Sequence, residues 1–226
     1  MRYDNVTLGR FQSRPNRFIA HVIVNGQMEV CHVKNTGRCR ELFVKDAVVV
    51  LSKSSNPTRK TAYDLIAVYK GDKLINIDSQ APNRVFGEWA KNGAFLPYTT
   101  LIKPEYTYGK SRLDFYVEAD DRRCLVEVKG VTLEEDGFVR FPDAPTERGA
   151  RHVMELIAAA KDGYQCYICF VIQMQGVKNF SPNDKTDPAF SHALRRAAQE
   201  GVHVLAYECV VTKDTMTLGE PVSVIL

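Results

Sequence analysis

Nowhere in its 226 residues does this sequence reach the ~20 consecutive apolar positions that a membrane-crossing helix needs. Its start, Met1-Arg2-Tyr3-Asp4, lacks the apolar segment of a secretory signal peptide, so a cytoplasmic protein is expected. There is no internal repeat and no low-complexity tract; the length suits one large or two small domains. Cysteine is sparse, with six residues scattered through apolar contexts. Cys166-Tyr167-Ile168-Cys169 has redox-motif spacing, but residues three apart on a strand face opposite ways. A second such pair, needed for a zinc site, is missing, and reduced core thiols are the expectation. Nor do His21, His32, His192 and His203 cluster, so they read as structural.

Net charge is only +3, but it is unevenly divided. Residues 1–80 carry 13 Lys and Arg against 7 Asp and Glu, whereas residues 81–226 carry 17 against 20. A basic region can hold a polyanion without reading its sequence, because each neutralised phosphate releases counterions. A globular domain that merely happens to be basic is the alternative.

The basic part is rich in short strands: Arg10-Phe11, residues 17–24, 28–33, 47–52, 63–69 and 74–78, with a small helix expected at Cys39–Phe43. Asn25-Gly26 between alternating runs is a strong hairpin signal. Five or more such strands with one helical insertion predict a compact barrel of the OB type over residues 1–80. Arg10, Arg14, Arg17, Lys34, Arg38 and Arg40 alternate with polar and aromatic residues, as on a surface that tracks a nucleic-acid backbone.

From Ala81-Pro82 onward the pattern becomes mixed, predicting a second domain over residues 81–226. Asn83 is expected to cap a helix over residues 84–92. An extended segment at 99–108, two alternating strands at 112–118 and 124–129, a helix from Thr146 to Lys161 and an apolar strand at 166–173 follow. A Pro188-led helix near 187–200 and strands at 202–211 and 222–226 come last, with residues 176–186 read as a surface loop.

If the turn between the two alternating strands centres on Asp120-Asp121, Asp114 opposes Glu127 and Arg112 opposes Lys129. Leu113, Phe115, Val117, Cys124, Val126 and Val128 then share the other face. Opposed residues lie only ~5 Å apart at Cβ, and like charges there are destabilising. Two carboxylates so placed call for a cation, and Mg²⁺ (or Mn²⁺) suits a site with one or two carboxylates. Lys129 can orient an attacking water or stabilise charge on a phosphoryl oxygen. The alternative is a solvated hairpin whose Glu127 and Lys129 form a surface ion pair worth ~0–1 kcal/mol. Glu88 and Asp143 are further acidic candidates. Arg112 is a further candidate for nucleic-acid contact, and Arg148, Arg151 and His152, spaced to share a face at a helix N-terminus, are candidates for phosphate contact.

The spacing Asp114…Glu127-x-Lys129 and the order helix, three strands, helix, strand resemble the PD-(D/E)xK nuclease superfamily, with Leu113 where that pattern has proline. Over nearly its whole length the chain also resembles the sugar fermentation stimulation protein family. The matching motifs are Asn35-Thr36-Gly37, Tyr108–Phe115, Val126–Leu133, Phe141–Ala144 and Arg148–His152 with Glu155-Leu156. That resemblance implies an α+β architecture of an N-terminal OB-fold barrel and a C-terminal PD-(D/E)xK-like domain with a mixed sheet. It also implies non-specific DNA binding and a regulatory link to sugar (maltose) metabolism. Metal-dependent cleavage of nucleic acid, non-catalytic DNA binding on a nuclease-like scaffold, and an enzyme of sugar phosphates all stay open at this point.

Overall fold

The computed structural model describes residues 1–35, 37–56 and 58–226; Thr36, within one of the family motifs, lies outside the described residues. The first half is built from β1 (Val6–Asn16), β2 (Ile19–Val24), β3 (Gln27–Val33), β4 (Val48–Lys53), β5 (Tyr63–Lys70) and β6 (Lys73–Asn76). Strands β1 to β5 close into a barrel in the order β3-β2-β1-β4-β5, with β3 and β5 pairing in parallel and β6 extending β5. Asn25 and Gly26 both take positive φ (50° and 82°), the backbone that a tight β2–β3 turn requires. The alternation of β2 sends Ala20, Val22 and Val24 into the barrel. In β5 the apolar run is continuous for a different reason. Leu65 and Val68 belong to the core that fills the barrel, while Ile66 and Ala67 face the second half.

Two expectations for this half are corrected. Residues 39–43 form a single turn closed by Leu42 and Phe43 N–H on the Cys39 carbonyl, not a helix. β1 is eleven residues long, not two, because it pairs with β2 on one side and β4 on the other.

The second half begins with α1 (Ala81–Lys91), β7 (Thr99–Tyr108), β8 (Ser111–Ala119), β9 (Arg122–Val131), β10 (Leu133–Glu135) and β11 (Phe138–Phe141). It continues with α2 (Glu147–Lys161), β12 (Gln165–Ile172), β13 (Asn179–Pro182), α3 (Pro188–Gln199), β14 (His203–Val211), β15 (Met216–Pro221) and β16 (Ser223–Val224). A mixed six-stranded sheet runs β15-β14-β12-β9-β8-β7. Alternation along β12 divides it between two layers. Cys166, Ile168 and Phe170 join the core with Val153, Leu156 and Ile157 of α2, while Tyr167, Cys169 and Val171 join the core with Val85, Phe86 and Ala90 of α1.

Helix starts follow local chemistry. Thr146 Oγ1 accepts from Gly149 N–H at 3.0 Å, and an Asp187 carboxylate oxygen accepts from Phe190 N–H at 2.9 Å. α1 begins earlier than expected because Pro82 fits a first turn, which places Asn83 inside the helix rather than at its cap. Residues 176–186 are not simply a loop: β13 pairs in parallel with β11, making a small sheet β10-β11-β13-β16. All six cysteines are free and buried, as expected.

Candidate metal and nucleic-acid site

The β8–β9 hairpin keeps the register read from its turn, pairing Val117 with Cys124, Tyr116 with Leu125 and Phe115 with Val126. The ladder then stops, one step short of Asp114 and Glu127. Continued pairing would set Leu113 opposite Val128, but Val128 N–H instead donates to Asp114 Oδ2 at 2.7 Å. The other oxygen, Oδ1, accepts from the Asn83 amide at 2.7 Å. The neighbouring edge strand bends at the same level, where Glu105 has φ 54°. Strand β8 changes faces here: Leu113 enters the α2-side core and Phe115 the α1-side core. The expected sharing of one face by Leu113 and Phe115 is thereby corrected. So are the cross-strand oppositions of Asp114 to Glu127 and of Arg112 to Lys129, since the β8–β9 ladder ends at Phe115 and Val126; Arg112 lies exposed, 3.5 Å from Glu105.

Glu127 is 2% exposed and meets His152 of α2. Its Oε1 accepts from Lys129 Nζ and from His152 Nδ1, both at 2.5 Å. The ion pair is therefore a buried one, not the surface pair of the simpler reading. Oε2 of Glu127 is buried and has no hydrogen-bond partner. Burial pushes the Asp114 carboxyl above the usual carboxylate range, and the Glu127 charge adds to it. Burial pushes Glu127 up too, but His152 and Lys129 outweigh it and hold its carboxyl below that range. The Asp114 carboxyl thus senses the Glu127 charge, and their different surroundings shift the two groups in opposite directions.

The basic residues divide into engaged and free ones. Arg14 turns its guanidinium onto the carbonyls of Arg17, Asn35, Gly37 and Arg38 at 2.7–2.9 Å and stacks over Phe43. Lys34 Nζ lies 2.9 Å from Asp78, a carboxylate only 1% exposed. Arg17, Arg38 and Arg40 are exposed and, with Lys45, line an open cleft of 980 Å³ whose far wall is Ala144 and Pro145, just before α2. Arg10 is exposed beside the Asp46 carbonyl. Arg148 and Arg151 are exposed on the first turns of α2, whereas His152 is buried, so the three do not present one common face. Asp143 accepts from Arg38 N–H at 3.0 Å, tying the loop before α2 to the barrel. Glu88 holds the Met1 amine at 2.6 Å. Neither acid joins the Asp114–Glu127 pair.

Comparison with known proteins fits both halves of this fold. Residues 13–77 match the family model described as the SfsA N-terminal OB domain, and residues 80–215 that of the sugar fermentation stimulation protein RE domain. The chain belongs to the sugar fermentation stimulation protein family. It is 51% identical to the homolog from Clostridium beijerinckii over 226 residues, covering 100% of both chains. To the homolog from Desulfitobacterium hafniense strain Y51 it is 53% identical over 224 residues, covering 99% of this chain and 98% of the other. Among solved structures, that of Pyrococcus furiosus SfsA in complex with Ca²⁺ superimposes with a TM-score of 0.90 at 27% identity, covering 100% of this chain and 98% of that one.

The side chains of this family member suit a hard divalent cation better than zinc. Among the described residues no three His, Cys, Asp or Glu side chains gather into a metal cluster, whereas a structural zinc needs four protein ligands. Two carboxylates with an unpartnered oxygen match an ion that completes its shell with water and phosphate oxygens. Sequence reasoning missed Asn83 as a partner of Asp114 and placed His152 outside the pair. The second had a signal: His152, Val153, Leu156 and Ile157 are spaced as one buried helix stripe.

Proposed function

We propose that this protein binds nucleic acid, DNA in the first place, and hydrolyses its phosphodiester bonds with Mg²⁺ or Mn²⁺ at Asp114 and Glu127. One observation carries the reading: Glu127 Oε2 is buried without a partner beside a second carboxylate. A buried ionised oxygen left unpaired is costly, and a bound cation removes that cost. The Ca²⁺ complex of the Pyrococcus furiosus relative supports a divalent ion in this family.

In this reading Asp114 and Glu127 hold the cation, which when bound supplies charge stabilisation at phosphoryl oxygen and a more acidic water. Lys129, 16% exposed at its side chain, orients the attacking water and faces the developing charge. Arg148 and Arg151, at the N-terminal end of α2, meet the phosphate that a helix start also attracts. Arg17, Arg38, Arg40 and Lys45 retain the rest of the strand in the cleft. Residues 1–80 then act as the binding half and 81–226 as the half that carries the chemistry. The free thiols suit a reducing compartment, and the cytoplasm is the compartment we assign.

A non-catalytic DNA-binding regulator of sugar metabolism is the second reading. It is favoured by the protein donors that already occupy three of the four carboxylate oxygens. Incubation with single- and double-stranded DNA and RNA, with and without Mg²⁺ or Mn²⁺, separates the two when retention and scission are both scored. Scission that needs the metal and is lost in Glu127→Gln, with retention kept, is the expected result. Retention without scission on every substrate would favour the regulator.

A further inference from the structure

We infer that His152 is a positioning residue of the carboxylate pair, and that Arg148 sets which of its ring nitrogens carries the proton. The inference rests on the reading that Asp114 and Glu127 hold a divalent cation. His152 is 4% exposed on the inner face of α2. Its Nε2 lies 3.3 Å from Arg148 Nε, and its Nδ1 lies 2.5 Å from Glu127 Oε1. An arginine has only donors to offer, so Nε2 is the accepting nitrogen and the proton sits on Nδ1, directed at Glu127.

That arrangement fixes which Glu127 oxygen faces the cation. The terminal torsion of a glutamate is broad and roughly two-fold, so a carboxylate held by one donor can exchange its oxygens. Lys129 approaches on a flexible stem with a rotatable ammonium and does not define the carboxylate plane alone. A packed imidazole does, because burial leaves it one orientation. With both donors on Oε1, Oε2 is the oxygen left unpartnered. Hydrogen-bond partners of metal-binding carboxylates typically change metal affinity by ~10–100-fold when removed. Arg148 in turn lies exposed on the side of α2 that follows the cleft wall at Pro145. Its remaining N–H groups can meet a phosphate while Nε keeps the histidine oriented, which links substrate contact to the carboxylate.

The test uses the full chain and Mn²⁺ alone as probe, followed by calorimetry. His152→Ala is expected to weaken Mn²⁺ binding by about tenfold or more. His152→Asn, whose amide can donate from near the Nδ1 position, is expected to restore most of that loss. Alanine binding Mn²⁺ as tightly as wild type, or asparagine binding as weakly as alanine, would overturn the inference. Should the alanine variant fail to fold, ¹⁵N–¹H spectra of histidine-labelled wild-type protein decide it. A proton on Nδ1 of His152 that redistributes in Arg148→Ala is expected, and a proton on Nε2 in the wild type is the contrary result. Failure of the underlying reading looks different, since the wild type would then take up no Mn²⁺ at all.

Discussion

Asn83, in the first turn of α1, donates its amide to Asp114 at 2.7 Å, so the helix on one face of the sheet holds a carboxylate presented from within it. This contact explains why β8 can leave its ladder at Asp114. The carboxylate satisfies Val128 N–H on one side and is itself satisfied by Asn83 on the other.

Asn83→Ala leaves one oxygen of a largely buried carboxylate without its donor. A loss of roughly 1–3 kcal/mol in folding stability is expected, read as a lower urea midpoint at neutral pH, together with weaker Mn²⁺ binding. An unchanged midpoint and unchanged affinity would show that the amide is incidental to the site.

The raised pKa of Asp114 makes metal-free stability depend on pH with a definite sign. Its carboxyl sits above the usual range because of burial and the Glu127 charge. Its contribution to stability is therefore fully present below the unfolded value of ~3.9 and is lost as pH rises through the folded pKa. A bound dication removes that loss by favouring the charged form. The rise in melting temperature produced by Mn²⁺ should accordingly be larger at pH 7.5 than at pH 5. Equal shifts at both values would separate metal binding from Asp114.

Arg14 and Arg17 are neighbours in sequence with opposite expected phenotypes. Arg14→Ala strips donors from four backbone carbonyls of the barrel. It should cost at least ~1–3 kcal/mol in unfolding experiments. Arg17→Ala, at an exposed cleft position, should leave stability within ~0.5 kcal/mol. It should weaken nucleic-acid retention and lower the salt slope by about one. Identical effects of the two substitutions would contradict this division.

Much of the frame was legible because its signals are local. The Asn25-Gly26 turn, the Asp120-Asp121 hairpin with its register, and the helix starts at Thr146 and at Pro188 all depend on residues within a few positions of each other. Part of what escaped depends on distant partners: β13 is four residues long and pairs with β11 and β16 across long stretches of chain, so it has no pattern of its own. The β10–β11 hairpin escaped although its turn at Asp136-Gly137, with φ of 53° and 87°, is a local signal of the same kind as Asn25-Gly26. The break in β8 requires Asn83, thirty-one residues earlier. Basic alternation could not tell Arg14, which binds backbone carbonyls, from Arg17, which does not, because both sit in the same polar stretch. For His152, spacing from Arg148 suggested a shared face, while the apolar stripe through Val153 and Leu156 carried the opposite and correct signal.

The most direct test of the account is a calorimetric titration of Mn²⁺ into the wild-type protein and into Glu127→Gln. Saturable binding at one site is predicted in the wild type, with at least tenfold weaker binding in the variant, which still unfolds in one cooperative transition without metal. Binding of equal strength in both proteins, or none in the wild type, would contradict it.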